Sequence, residues 1–311
     1  MSGWLPTAPC TPEDCVAPAG PPVGAALRGL RCAGCALLLV AGVVLAPLVR
    51  CCTVGPRGRE VRLRAVRGWA RVMLRSFGVR LAVAGGPADG PSTAPAGAAG
   101  GPGPLLVSNH VSWLDILLLL AVRPGLMLAK TEVRGWPLVG PLAAWGGTVF
   151  LDRDRLRSLP GTVEEVAAAL RRGERVSAFP EGSTWCGRGG GRFRPALFEA
   201  AVRVGAAVEP VAIRYTAADG GPATAAAFVG DDALLPSIGR VVASRGLVAE
   251  VVLLPAIPAG RHPGRRELAL AAQRAVRSTL ATQAPVPEPV RTAAAVPVQA
   301  RRRVRLPARS A

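Results

Sequence analysis

Residues 104–122, PLLVSNHVSWLDILLLLAV, pass from a short apolar run through a polar loop into a leucine-rich segment. Ser112 and Asp115 have the Ser-x-x-acid spacing of a helix start, and a Pro-Gly pair follows the segment at its far end. The stretch therefore predicts a strand over 104–108 and a helix over 112–122. A strand that leads into a helix in this way is the repeating unit of α/β domains.

The same alternation of apolar strands and helical patterns continues to the end of the domain. Further strands are predicted for LMLAK (126–130), TVFLD (148–152), RVSAFP (175–180), VEPVAIRY (208–215) and VAEVVLL (248–254). Helices are predicted for a Gly/Pro-rich stretch before residue 148 and for 161–173, 195–205 and 266–281. This order is typical of an α/β fold in which helices cover a sheet.

Glycine and proline, 37 and 30 residues in all, crowd into three stretches that divide the chain. They predict a flexible N-terminus over 1–27, a linker over 84–103 and a basic disordered tail over 283–311. Between these stretches lie a membrane segment with a basic helix, over 28–83, and the main domain, over 104–282.

The segment before the linker has the pattern of a membrane-attached region. Residues 32–49 carry no charge, and their length is at the lower limit for a helix that crosses a bilayer. Arg67, Arg71 and Arg75 then share one helical face, with apolar residues on another, as in a helix on an anionic membrane surface. The apolar run either spans the bilayer or dips into one leaflet. The arginines after it predict a domain on the cytoplasmic face of the plasma membrane.

The net charge of +18 has two common causes, a nucleic-acid partner or an anionic membrane. Aromatic residues make up only 4% of the chain, and no base-stacking motif or zinc finger is present in the sequence. The basic residues instead flank the apolar run. The expected partners are therefore membrane lipids and the anionic bilayer surface, with no nucleic acid.

The seven cysteines give no clear metal signature. Cys32 and Cys35 have the Cys-x-x-Cys spacing, but no second pair and no histidine stands at a ligand spacing from them. The sequence therefore predicts reduced thiols and no metal site.

His110 and Asp115 have the chemistry of a general base with its orienting carboxylate. An acid that accepts the proton of one ring nitrogen fixes the tautomer, which leaves the other nitrogen able to take a proton from an alcohol. Residues five apart lie on different faces of a continuous helix. We therefore expect His110 on the loop and Asp115 in the first helical turn, where it also supports the helix start.

Four ordered blocks, SNHVSWLD, GGTVFLDR, FPEGST and VEPVAIRY, resemble the successive motifs of the glycerolipid acyltransferase family, which contains the 1-acylglycerol-3-phosphate acyltransferases. The resemblance covers roughly residues 104–256. It implies an α/β fold with a mixed sheet flanked by helices and preceded by N-terminal membrane-associated helices. It also implies O-acyl transfer from acyl-CoA or acyl carrier protein to a lyso-lipid hydroxyl, without a cofactor, by default from lysophosphatidic acid to phosphatidic acid in phospholipid biosynthesis.

The resemblance also implies roles for individual residues. His110 would deprotonate the acceptor hydroxyl, Asp115 would orient His110, and a backbone amide near Gly182 would stabilise the oxyanion. Arg153 would bind the polar head of the acceptor and Glu181 would orient it. The positions implied in substrate binding are Asn109, Lys130, Arg153, Glu181, Gly182 and Ser183.

Thr184 departs from the family pattern, because the third block usually ends in an arginine that helps to hold glycerol phosphate. Without that cation a phosphate is bound less well, although Arg188 or Arg192 could supply the charge. The stretches FPEGSTWCGRGGGRFRPALFEAA (179–201) and VGDDALLPS (229–237) resemble the branch that acylates lyso-ornithine lipid. Lyso-ornithine lipid is therefore the alternative acceptor.

Other interpretations remain open from the sequence. Cys186 is a rival nucleophile that His110 would activate, and Gly187–Gly191 is interpreted as a mobile flap. His262 and the pair Asp231-Asp232 are assigned no chemistry. A non-catalytic membrane lipid-binding protein is the alternative to an enzyme.

Overall fold

The computed structural model describes residues 8–17, 21–86, 100–152 and 156–282. The helices in these ranges are α1 (Pro12–Cys15), α2 (Ala25–Cys52), α3 (Gly55–Ser76), α4 (Leu114–Val122), α5 (Val139–Trp145), α6 (Leu159–Arg171), α7 (Phe198–Val204), α8 (Leu234–Ala243) and α9 (Arg265–Ala281). The strands are β1 (Arg80–Gly85), β2 (Leu105–Ser108), β3 (Leu126–Lys130), β4 (Val149–Leu151), β5 (Val176–Ala178), β6 (Val208–Thr216) and β7 (Val248–Leu253).

The strands form one sheet in the order β1-β7-β6-β2-β5-β3-β4. Neighbouring strands are parallel except for β6 and β7, which are antiparallel, so the mixed sheet expected from the sequence is confirmed. The central strand β2 lies between β5 and β6 and is parallel to both. The loops that follow β2 and β5 therefore leave the same edge of the sheet, where α/β proteins place their functional groups.

Alternating side chains of β2 enter two separate cores. Leu106 packs on the face that carries α3, α4 and α8. Leu105 and Val107 pack on the opposite face, together with side chains of α6, α7 and α9. All three are fully buried, and burial of each such side chain contributes about 1.5–3 kcal/mol. The apolar run that opened the sequence analysis therefore holds the two helical layers together.

Helix α2 is a long apolar helix that lies against the domain. Its 28 residues make it about 42 Å long, and by length and composition it could cross a membrane. It is longer than the predicted run 32–49 and continues past Pro47. It exposes a row of apolar side chains, and Leu37 is 70% exposed.

Both ends of α2 are attached to the domain. The Arg31 guanidinium donates hydrogen bonds to the carbonyls of Val242 (2.7 Å) and Ser244 (2.9 Å). At the other end, Arg50 donates to the carbonyl of Trp145 (3.4 Å). Helix α2 also packs along α3, where the Trp69 indole donates to a carbonyl of α2.

Part of the predicted flexible N-terminus is packed against the domain. Cys10 is buried, and the amide of Ala17 donates to the hydroxyl of Thr224 at 2.8 Å. Val23 is also buried, and its amide donates to the carbonyl of Ala243 at 2.9 Å. These contacts join the segment to residues more than two hundred positions away, and the flexibility of 1–27 stays a prediction.

Strand β1 and helix α8 are absent from the sequence-based prediction. Residues 80–85 were divided between the basic helix and the linker, but they pair with β7 along their whole length. Most of the predicted linker and the basic tail over 283–311 lie outside the described residues.

Candidate active site

An open cleft with a volume of about 2310 Å³ lies between the α2–α3 pair and the sheet domain. His110 lines it, together with Phe179, Ser183 and Thr184 from the segment that follows β5. Most of the remaining lining is apolar, with contributions from α2, α3, α4, β3, α5 and α8. The cleft therefore joins a histidine to a wide apolar surface.

His110 and Asp115 are brought together as the sequence predicted. His110 stands on the loop after β2, and Asp115 lies in the first turn of α4. The His110 Nδ1 atom lies 2.8 Å from Asp115 Oδ2. The hydrogen-bond pattern assigns the ring proton to Nδ1, which leaves Nε2 as the acceptor.

Asp115 is fully buried and accepts hydrogen bonds from every side. Its Oδ2 atom also accepts from the amides of Val111 (2.7 Å) and Ser112 (2.9 Å). The amide of Leu114 donates to the hydroxyl of Ser112 at 3.2 Å, so the predicted helix-start motif is present. These donors position the carboxylate behind His110 and offset the cost of its burial.

Tyr215 is a part of this network that the sequence analysis missed. It lies near the end of β6, and its hydroxyl donates to Asp115 Oδ1 at 2.6 Å. Burial, and then the neighbouring carboxylate, raise the pKa of Tyr215 well above its usual value, so the phenol keeps its proton. The only sequence feature that could have drawn attention to Tyr215 is that it is the single tyrosine of the sequence.

The imidazole of His110 is also held from its face. Phe179, directly after β5, stacks on it with a centroid separation of 3.8 Å and an angle of 7° between the rings. The Asp115 hydrogen bond and this stacking together restrict the ring to one orientation.

Glu181 binds the protein backbone. Its carboxylate accepts hydrogen bonds from the amides of His110 and Gly191, both at 2.9 Å. Burial raises the pKa of the Glu181 carboxyl to about 7, and the two amide hydrogen bonds limit the rise. The two carboxylate oxygens therefore join the histidine loop to the glycine-rich loop, and the role of Glu181 in orienting the acceptor stays a prediction.

Gly182 and Asn109 also have structural partners. The amide of Gly182 donates to the carbonyl of Phe179 at 3.1 Å, and the stabilisation of an oxyanion by a backbone amide near Gly182 stays a prediction. The side-chain amide of Asn109 bonds both backbone groups of Ile213, each at 2.8 Å. The Asn109 amide therefore joins the end of β2 to β6, and its predicted role in substrate binding stays a prediction.

The other residues predicted to bind substrate are Lys130, Ser183 and Arg153. Lys130, at the end of β3, and Ser183 both line the cleft. Arg153 lies outside the described residues.

Thr184, in place of the family arginine, donates a hydrogen bond to the carbonyl of Phe228. The two arginines that were candidates to replace that cation, Arg188 and Arg192, are exposed and are not among the described residues that line the cleft.

Cys186 points toward other cysteines. Its sulfur lies within 4.8 Å of the sulfurs of Cys10 and Cys15. Burial acts to raise the pKa of the Cys186 thiol, but hydrogen bonds from the Arg188 amide and from the two thiols outweigh it and lower the pKa. Since His110 binds Asp115 and Cys186 lies among thiols, the geometry favours a histidine base over a cysteine nucleophile.

The glycine-rich loop is in contact with α9. Gln273 of α9 accepts from the amide of Phe193 (3.1 Å), and Arg277 donates to the carbonyls of Gly190 (3.0 Å) and Gly191 (3.1 Å). Helix α9 therefore contacts the backbone at the C-terminal end of this loop, and its mobility stays a prediction.

Comparisons with known proteins agree with this geometry. The Acyltransferase family model matches residues 90–214. The lyso-ornithine lipid O-acyltransferase of Pseudomonas aeruginosa is 43% identical over 186 residues, which are 58% of this chain and 69% of that protein. The 1-acyl-sn-glycerol-3-phosphate acyltransferase of Neisseria gonorrhoeae is 35% identical over 184 residues, 59% of this chain and 72% of that protein.

The fold is similar to a solved structure as well. The crystal structure of the 1-acyl-sn-glycerophosphate acyltransferase PlsC from Thermotoga maritima superposes with a TM-score of 0.53. At 20% sequence identity, the match covers 80% of this chain and 96% of that one, which confirms the expected fold. The resemblance found in the four blocks is also confirmed, and the chain belongs to the acyltransferase family as an O-acyltransferase of lipid biosynthesis.

Proposed function

We propose that the protein transfers a fatty acyl group from acyl-CoA or acyl carrier protein to the hydroxyl of a lyso-lipid, with His110 as the base. Nε2 of His110 takes the hydroxyl proton while the oxygen attacks the thioester carbonyl. The tetrahedral intermediate then loses the thiolate, which takes the proton back from His110. The supporting observation is the 2.8 Å contact between His110 and the fully buried Asp115. The step consumes no other reactant, so it calls for no cofactor.

The shape of the cleft supports lipid substrates. Apolar side chains of α2, α3 and α4 line one region, and they include Leu38, Leu39, Leu63, Val66, Ile116, Leu117 and Leu120. Fatty acyl chains bind to such an apolar region because water is released from both the chain and the cleft wall. His110 lines the same cleft, where a hydroxyl near the polar end of the lipid can reach it.

Lyso-ornithine lipid is the acceptor that we favour. The first support is the higher identity to the lyso-ornithine lipid enzyme of P. aeruginosa, 43% against 35% for the glycerophosphate enzyme. The second is Thr184, which leaves its position without a cation. The third is Glu13 and Asp231, two of the four exposed carboxylates that line the cleft together with arginines of α2 and α3. A cationic amino-acid head is attracted to these carboxylates, whereas a phosphate is repelled.

Lysophosphatidic acid is the second candidate, and Lys130 is the observation that supports it. This lysine lines the cleft at the end of β3 and is exposed. An ammonium group there offers a phosphate a point charge.

We also infer that α2 lies in one leaflet on the cytoplasmic face of the plasma membrane. Arg31 and Arg50, about 29 Å apart along the helix axis, both bind the same domain. That spacing equals the thickness of the hydrocarbon core, about 30 Å. If α2 spanned the bilayer, Arg31 and Arg50 would lie at opposite membrane surfaces, and only one of them could contact the domain. The surplus of arginine after α2 supports the cytoplasmic side.

The base assignment is tested with His110→Ala in membranes supplied with a thioester donor and a lyso-lipid. Loss of a general base lowers the rate by roughly 10²–10⁴-fold, so we expect transfer to fall at least about a hundredfold. His262→Ala changes the other histidine of the sequence and is the matched control. Undiminished transfer by His110→Ala would falsify the assignment.

The acceptor is tested by competition between lyso-ornithine lipid and lysophosphatidic acid with one donor. We expect preference for lyso-ornithine lipid, and Asp231→Asn should lower kcat/KM for it by roughly two- to fivefold, the range of one exposed ion pair. The rate of the Asp231→Asn variant with lysophosphatidic acid should not fall. Asp219→Asn is the control, because Asp219 is exposed and bonds only its own turn among the contacts described. Equal losses with both acceptors would contradict the role of Asp231.

A further inference from the structure

Three of the seven cysteines lie close together, although Cys186 is more than 170 positions from the other two. Cys10 precedes the short helix α1, and Cys15 is the last residue of that helix. Cys186 lies two residues after the FPEGST block. Their three sulfur atoms all lie within 4.8 Å of one another. Cys10 and Cys186 are buried, and Cys15 is half-buried. We call these residues the thiol cluster.

The backbone around the thiol cluster is fixed by its own contacts. Thr11 caps α1 by accepting from the amide of Asp14 at 3.2 Å. The hydroxyl of Thr184 bonds the Phe228 carbonyl, and the amide of Trp185 donates to the carbonyl of His110 at 2.8 Å. Gly230 packs so closely on Cys10 that an added Cβ would lie 3.0 Å from its carbonyl oxygen. The three sulfurs are therefore held together by the fold of two separate segments.

The geometry points to a site for one soft divalent cation, with zinc as the natural choice, bound by Cys10, Cys15 and Cys186. Thiolates select such metals. Zinc–sulfur bonds of about 2.3 Å place the sulfurs of a tetrahedral site about 3.8 Å apart, so the cluster needs to contract by only about 1 Å. The amide of Arg188 bonds the Cys186 sulfur and acts as an outer-shell donor to it. A solvent molecule would complete the tetrahedral coordination.

The proposed metal has a structural role that is separate from acyl transfer. It would attach the segment that leads into α2 to the loop that leads from Glu181 to the glycine-rich stretch. Both segments border the cleft, since Cys10 and Thr184 line it. Metal binding would therefore stabilise the wall of the cleft next to His110 without contacting the reacting atoms.

Metal analysis of the purified full-length protein tests this inference. We expect about one zinc per chain in the wild type and loss of that zinc in Cys10→Ser and Cys186→Ser. Cys51→Ser and Cys52→Ser change exposed cysteines outside the cluster, and they should keep the metal. Cobalt added to metal-stripped protein should give a thiolate-to-metal charge-transfer band in the wild type and in the two controls only.

Absence of stoichiometric zinc together with absence of the cobalt band in the wild type would overturn the inference. Mass spectrometric detection of a disulfide between Cys186 and either Cys10 or Cys15 in the freshly purified protein would also overturn it. If a cluster variant does not fold, the wild type alone still tests metal binding. Cobalt is titrated into it, and the alkylation rate of each cysteine is measured with and without cobalt. Bound cobalt should protect all three cluster cysteines.

Discussion

At the scale of single residues, Asp115 connects sequence and chemistry. The spacing of His110 and Asp115 was sufficient to predict their contact, because both lie within one loop and one helical turn. Tyr215 was not predictable in this way, since it approaches Asp115 from a strand one hundred residues later. Asn109 lay inside a recognisable motif, but its role depends on backbone groups of β6 that no local pattern reveals.

Glu181 makes a testable contribution to the pH dependence of stability. Burial raises its pKa from the usual 4.5 to about 7, so the folded protein keeps this proton to higher pH than the unfolded chain. The resulting stabilisation is fully present below pH 4.5 and is lost as the pH rises to 7. The loss is about 3 kcal/mol on the scale of about 1.4 kcal/mol per pKa unit.

Urea unfolding in detergent between pH 4.5 and 8 measures this effect. The free energy of unfolding should decline with pH by about 3 kcal/mol less in Glu181→Gln than in the wild type. Glu267→Gln, at an exposed position of α9, should keep the decline of the wild type. Parallel pH curves for wild type and Glu181→Gln would show that Glu181 is not the titrating group.

At the scale of elements, the alternation of strands and helices predicted the sheet from β2 to β7, but it missed β1 and α8. Strand β1 has an arginine and a glycine at its ends and acquires its conformation by pairing with β7, which lies far along the chain. The length of α2 was underestimated because the charge-free run 32–49 is shorter than the helix, whose arginines reach carbonyls of the domain.

The exposed apolar face of α2 predicts how the protein is held at the membrane. Leu37 is 70% exposed near the middle of the helix. Burial of a leucine side chain in the leaflet contributes about 1.5–3 kcal/mol, so Leu37→Arg should weaken binding to vesicles at least roughly tenfold. Co-sedimentation with anionic vesicles measures this.

Leu270→Arg is the matched control, because Leu270 is a 47% exposed leucine on α9. It should leave vesicle binding unchanged. Equal binding by Leu37→Arg and the wild type would show that this face of α2 does not enter the membrane.

At the scale of the whole molecule, elements far apart in sequence converge on the histidine loop. Glu181 joins that loop to the glycine-rich loop, and α9 holds the glycine-rich loop through Gln273 and Arg277. The motifs predicted the family and the contact between His110 and Asp115. The supporting contacts depend on how α9 packs, which the motifs do not encode.

Gln273→Ala tests this long-range support. It leaves the buried amide of Phe193 without its acceptor, which costs roughly 1–3 kcal/mol. We expect the melting temperature to fall by several degrees, measured by the loss of intrinsic fluorescence or by calorimetry. Arg274→Ala, at the adjacent exposed position, should change the melting temperature much less. Equal shifts in both variants would contradict the role given to Gln273.

The attachment of α2 at both of its ends has a consequence for membrane growth. A lipid-modifying enzyme held in this way works on one monolayer and returns its product to the same monolayer. In the proposed reaction, each turnover would convert a single-chain lipid into a two-chain lipid and enlarge the cross-section of the molecules in that monolayer alone. Sustained synthesis would therefore generate an area mismatch between the two sides of the bilayer, which lipid movement across it has to relieve.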